Sequence, residues 1–490
     1  MIKRYVASKD ATITNAYKYN NDAVRATGSN VGGADSGQVF SLFGNISTGS
    51  IEKSRMIIQF PVNNIDADRS LGLVPASGSV SFYLKMYNVK HTETLPRNFI
   101  LNVSPISSSV DWEEGEGLDL DDYTDWGRGF GGQGVTWSTY ASSTLGALSW
   151  SVGGGDFYND LLFSQSFEEG YEDLSIDISP LVEEWIDGTK DNRGVLLYLT
   201  SSQENHSSSI SYYTKRFSMR KSEFFYSRPV IEAVWDDSKK DNRGNFYPSS
   251  SFLPADDNLN TIYFYNFVRG QLTNVAGLTD DLMYVRVFES SSNGSEITTT
   301  PSSPITGGLT SEVGIYSASL AVATSGTMSV MFDRWYVDTT GSATNCVHTG
   351  TIIIEDWAAN NTATRKEYEL KISNLKNEYS TREQDTRLRL FTREKCWNPS
   401  IYLVAVNETP LSIVDDIYYR VIRSADDKEV VGFGTGSLNE TRVSYDVSGS
   451  YFDFDMGILE PDFGYEFRFA IYENGNYVEH PYIAKFRIED

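Results

Sequence analysis

Period-two hydrophobic alternation, a wealth of aromatic residues and the lack of long helical periodicity predict an all-β protein. Leu174, Ile176 and Ile178 alternate with Ser175 and Asp177; Phe82, Leu84 and Met86 share one face of 80–87; and Tyr465, Phe467, Phe469 and Ile471 repeat the pattern near the end. The 490 residues include 30 Tyr, 26 Phe and only 14 Pro, a composition suited to pleated, half-buried surfaces. At that length two to four domains are expected.

Charge and cysteine content narrow the class. Asp and Glu outnumber Lys and Arg by 66 to 41, for a formal net charge of −25. Nucleic acid and anionic membrane are therefore not expected as partners, because phosphate contacts need a basic face. Cys346 and Cys396 fit no metal spacing, so two buried free thiols are expected rather than a disulfide framework. Lys3 and Arg4 are followed by no apolar run, so no signal peptide is expected. No stretch nears the ~18 apolar residues of a membrane span.

The chain opens on short strands separated by polar turns at 20–22, 28–30 and 32–35. Strands follow at 80–87 and from residue 100. The best-defined unit is 172–199, read as strand, short helix, turn, strand. Ser179 is placed to cap the helix, and Pro180 fits its first position, where a missing N–H costs nothing. Leu181, Val182, Trp185 and Ile186 give about two turns one apolar face, with Trp185 as a core anchor, and Gly188 ends them. Lys190-Asp191-Asn192-Arg193-Gly194 is then a polar turn before the apolar run 195–199. Strands at 210–217 and 229–235 close the domain.

A resemblance rests on these residues. Asp177-Ile178-Ser179-x-x-Val182-x-x-Trp185-Ile186-x-Gly188-x-x-Asp191-Asn192-Arg193-Gly194-Val195-x-Leu197 resembles the closing motif of DNRLRE-type domains. Those are β-sandwich modules similar to carbohydrate-binding modules, found in wall-associated and extracellular proteins. Asp10-Ala11-Thr12-Ile13 resembles the opening motif, and Arg55-x-x-Ile58-x-Phe60 an internal strand. Trp112-Glu113-Glu114 with Thr136-Trp137 resembles the tryptophan pair, and Arg228 to Ala233 the last strand. The resemblance covers residues 1–235 and implies a jelly-roll-like β-sandwich, departing from the family in an acidic, Gly-rich insertion between Trp112 and Trp137.

Beyond it, residues 236–257 are polar, with two prolines and a serine run, and read as a linker. They contain a second Lys240-Asp241-Asn242-Arg243-Gly244, which reads as recurring turn chemistry, not a duplicated domain. Residues 258–373 hold some seven strands, the rhythm of an immunoglobulin-like sandwich. Residues 374–386 alternate charges without an apolar stripe and read as a second linker. Residues 387–490 form a last immunoglobulin- or fibronectin-like domain, in which Pro461-Asp462-Phe463-Gly464 resembles the turn into a tyrosine-corner strand.

Two candidate sites fall in the insertion. Residues 111–125 carry eight carboxylates and no Lys or Arg, which leaves a solvated loop or a Ca²⁺ site using Asp111, Glu113, Asp119, Asp121 and Asp122. Ca²⁺ is the one cofactor in view. The aromatic residues Tyr123, Trp126 and Tyr140 are candidates for stacking on a sugar, whereas Trp112 and Trp137 read as core. His91, His206, His348 and His480 accompany no nucleophile motif, so no enzyme is expected.

A wall-type module made in a cytoplasm, small β domains and Ser/Thr/Gly-rich loops together point to a bacteriophage virion structural protein. It would be synthesised in the host cytoplasm and serve in tail, neck, baseplate or capsid decoration. The expected partners are other virion proteins, further copies of the chain, and a glycan. A carbohydrate-binding adhesin and a glycan depolymerase are the alternatives.

Overall fold

The computed structural model describes residues 1–18, 21–44, 50–91, 96–118, 134–143, 146–205, 212–292, 294–310, 312–323, 328–355, 367–395, 412–473 and 475–490. It is all-β, with a few short helices, and divides into two compact units, Lys3–Val234 and Met1–Ile2 with Trp235–Asp490. Among the described residues no helix is long and apolar enough to cross a membrane.

In the first unit a four-stranded sheet runs in the order Ile2–Val6, Val230–Val234, Ser81–Met86, Leu174–Asp177. The larger sheet runs Phe163–Phe167, Phe99–Pro105, Val195–Leu199, Ser50–Gln59, Ser36–Gly44, Tyr212–Ser218, with Lys9–Thr14 also paired to Ser50–Gln59. The expected alternation is present: Phe82, Leu84 and Met86 are buried, as are Leu174, Ile176 and Ile178. The central strands of the larger sheet are apolar on both faces. Ile57 and Leu196 join a cluster with Trp112, Val135, Tyr140 and Trp150, while their neighbours Met56, Ile58, Val195 and Leu197 turn the other way and are equally buried.

The helix Ser179–Ile186 buries Leu181, Val182 and Trp185 as its spacing requires, and Gly188 follows at φ +79°. Ser179 does accept a backbone N–H, but from Phe82 of the neighbouring strand at 2.8 Å and not from its own helix. Its hydroxyl donates to Asp177, so the residue ties helix to sheet instead of capping.

In the second unit, strands between 260 and 353 form one sheet in the order Asn260–Tyr265, Ile315–Val322, Ile305–Leu309, Leu282–Phe288, Val330–Tyr336, Cys346–Ile353. One face of every strand feeds a core around Ile262, Val285, Tyr316, Leu320, Met331 and Trp335. Residues 367–490 form two facing sheets. One runs Tyr368–Ile372, Thr386–Glu394, Gly449–Phe454, Ser444–Asp446; the other runs Glu378–Ser380, Asn476–Glu489, Gly464–Glu473, Ile417–Arg423, Lys428–Val431. Aromatic rings fill the space between them, with Phe452 4.6 Å from Tyr419 and 5.3 Å from Phe467. The Tyr465 hydroxyl donates to the Glu460 carbonyl at 2.8 Å, the tyrosine corner of immunoglobulin-like sandwiches.

Both expected linkers are structural. Within 374–386, Glu378–Ser380 adds a parallel edge strand to Asn476–Glu489 and buries Tyr379. Within 236–257, Asp241 and Phe246 are buried. Polar composition suggested a solvated tether, but these polar groups are hydrogen-bonded to the strands on either side. Cys346 is half-buried with a free thiol, not fully buried as expected; Cys396 lies outside the described residues.

Candidate ligand cleft and the expected sites

Of the residues expected to contact a sugar, the structure describes one, Tyr140, and places it in the core. Tyr140 is buried, its ring 4.7 Å from Trp150 and its hydroxyl 2.9 Å from Ser109 Oγ, so it cannot stack on a sugar. Tyr123 and Trp126 lie outside the described residues. Trp112 is core, as expected, and its indole N–H donates to the Arg193 carbonyl at 2.8 Å. Trp137 is half-buried with the Arg55 guanidinium over its ring.

The acidic window is partly neutralised from a distance. Asp111 pairs with Lys9 at 2.5 Å and accepts from Gln59 Nε2 at 3.1 Å, while Glu114 pairs with Arg220 at 2.6 Å. Asp111 is thus held in an ion pair with Lys9. Glu113 joins the same loop through its backbone, donating to Tyr140 and accepting from Val135. Asp119, Asp121 and Asp122 lie outside the described residues. Among the described residues no cluster of His, Cys, Asp and Glu has the grouping to hold a metal. Asp10 is fully buried beside Glu114; burial pushes its carboxyl up to about 7, and one of its oxygens has no partner.

A feature that composition concealed is the strap at 239–246. The Asn242–Gly244 turn places Arg243 against the fully buried Asp333, which it grips with both terminal nitrogens. The same guanidinium donates to the Tyr263 carbonyl at 3.0 Å, and Trp335 Nε1 donates to Asp333 at 2.7 Å. Asp333 faces Gly350 across the sheet, and a Cβ there would overlap the ion pair, so that position requires glycine. On its other side the strap bonds the Ser444–Asp446 strand: Asp241 N–H donates to the Tyr445 carbonyl, Tyr445 N–H to Lys239, and Asn242 Nδ2 to the Tyr445 hydroxyl. Burial raises the Asp241 carboxyl to about 6, with Arg243 opposing the rise, and it holds His348 below its usual range.

A cavity of a shape that suits a ligand lies in the C-terminal sandwich. A cleft of about 590 Å³ opens where the Tyr368–Ile372 edge approaches Asn476–Glu489. Tyr368, Phe391, His480 and Tyr482 supply its ring surfaces, and Lys371, Arg393, Lys395 and Glu369 its charges. His480 is fixed at both nitrogens: Nε2 donates to the Tyr368 carbonyl at 2.8 Å and Nδ1 accepts from Tyr482 N–H at 3.1 Å. The Tyr482 hydroxyl accepts from Ile372 N–H at 3.0 Å. None of these residues was singled out in the sequence except His480. They come from three stretches about 20 to 90 residues apart, each an ordinary strand by itself.

No protein-family model matches the chain, and no curated protein matches it. Among solved structures it is similar to the FN1–FN3 domains of chicken CNTN1, at 10% identity over 61% of this chain and 83% of that one, with a TM-score of 0.15. A likeness that slight carries no argument about fold or function.

Proposed function

We propose that the chain is a structural protein of a bacteriophage virion, docking on neighbouring subunits through its sandwich faces, strand edges and loops. The observation that carries this reading is the strap. A mechanical part needs its sheets joined by a connection that transmits force, and the strap supplies one between the 260–353 sheet and the C-terminal sandwich. It bonds Asp333 and Tyr263 on one side and Tyr445 on the other. The acidic balance, which disfavours nucleic acid, and the resemblance of residues 1–235 to wall-associated modules support the same role. The test is quantitative mass spectrometry of purified particles of the phage that encodes the chain. The expected result is a fixed stoichiometry with the other particle proteins. Recovery from the soluble lysate alone would overturn the proposal. The cleft favours the adhesin as second reading, since a glycan contact needs ring surfaces and polar groups together.

A further inference from the structure

We infer that the cleft between Tyr368–Ile372 and Asn476–Glu489 binds an acidic saccharide, held by Lys371 and Arg393 and seated on the rings of Tyr368 and Phe391. This holds whether or not the chain belongs to a virion. Its first support is charge. In a chain of net charge −25 the cleft is lined by Lys371, Arg393 and Lys395; Glu369 pairs with Arg393 and Glu367 with Lys395, which leaves one cation in excess. Lys371 has no acidic partner among the described residues. Arg393 directs both Nε and Nη2 onto the same Glu369 oxygen, which leaves its other terminal nitrogen for a further acceptor.

The second support is shape. A volume of about 590 Å³ exceeds what a single inorganic anion fills and matches clefts that take small organic ligands. A smaller chamber of about 290 Å³ adjoins it, sharing Tyr368, Lys395, His480 and Pro481, but Glu367, Glu473 and Glu479 also line it, so the acidic group belongs in the larger cleft beside Lys371 and Arg393.

The third support is rigidity. The hydrogen bonds on both His480 nitrogens and on the Tyr482 hydroxyl hold the walls without a ligand, and fixed walls reduce the ordering cost of binding. The donors that would otherwise seek water or a further strand on this edge are thereby used to set the rings. A carboxylate-bearing sugar matches both halves of the site: its ring lies on aromatic faces, and its charge meets the Lys371 ammonium and the remaining terminal nitrogen of Arg393.

The test is calorimetric titration of the full chain with trigalacturonic acid, with cellotriose and inorganic phosphate as comparison arms. The acidic trisaccharide should bind saturably, with affinity falling as salt rises. The neutral trisaccharide should bind at least about tenfold more weakly, and phosphate should not compete at equal concentration. Lys371→Gln should weaken the acidic ligand about tenfold at unchanged melting temperature. Phe391→Ala should weaken both sugars, a readout independent of the Lys371→Gln variant. No saturable binding, equal affinity for the two trisaccharides, full competition by phosphate, or undiminished binding by Lys371→Gln would each overturn the inference.

Discussion

The pentapeptide Lys-Asp-Asn-Arg-Gly occurs twice, at 190–194 and 240–244, and the two copies do different work. In the first, asparagine and glycine carry the structure. Asn192 Nδ2 donates to the Phe60 carbonyl at 2.8 Å, and its Oδ1 accepts Gly194 N–H at 3.1 Å. Gly194 sits at φ +81°, where a Cβ would overlap the Ile58 carbonyl oxygen. Among the described residues the Arg193 side chain pairs with the exposed Asp191, at 3.0 Å. In the second copy the arginine carries the structure, through buried Asp333, and the glycine is incidental: Gly244 lies outside the left-handed region, and a Cβ there would make ordinary contact with Val447. Identical side chains thus acquire opposite importance from what the flanking strands bring to them. The first copy must turn tightly against a neighbouring backbone; the second lies beside a buried carboxylate that needs a cation.

The largest effect expected from this contrast is at arginine. Arg243→Ala leaves the Asp333 carboxylate buried without its cation, which should destabilise the 235–490 unit by ~3–5 kcal/mol. Arg193→Ala removes a pair whose acid is exposed and screened by water, and should cost less than ~1 kcal/mol. Denaturant melts followed by hydrogen exchange would separate the two; equal losses would erase the contrast.

A smaller effect is one of pH. Burial raises the Asp241 carboxyl from 3.8 to about 6, so the folded state holds that proton more tightly than the unfolded chain does. This contribution favours folding fully below about pH 4 and is lost as pH rises through about 6. The loss is at most roughly 3 kcal/mol. Asp241→Asn keeps the oxygen that accepts Arg243 N–H and should flatten stability across that window. A wild-type profile already flat between pH 4 and 6 would show that Asp241 is not desolvated.

Local chemistry was legible in the sequence. Period-two stretches such as Phe82-Leu84-Met86 announced their buried faces, Trp185 its place under the short helix, and 461–464 the corner closed by Tyr465. What stayed hidden depends on partners far along the chain. Asp111 and Glu114 looked uncompensated because Lys9 and Arg220 lie about a hundred residues away. Tyr140 looked like a loop residue because its neighbours in sequence are polar, whereas its neighbours in space are Trp150 and Val135. The 236–257 tract looked like a linker because composition cannot distinguish solvated polar groups from polar groups bonded to strands. The cleft was invisible because Lys371, Arg393 and His480 meet only through sheet pairing.

The most direct test of the central claim is the glycine pair, Gly194→Ala against Gly244→Ala, measured side by side as the stability of the unit that holds each. The left-handed backbone alone should make Gly194→Ala cost at least ~1–2 kcal/mol, with the overlap on Ile58 adding to it. Gly244→Ala should stay within about 0.5 kcal/mol of wild type. Equal losses at the two glycines, or a larger one at Gly244, would contradict the account that context, not the pentapeptide, sets each residue's role.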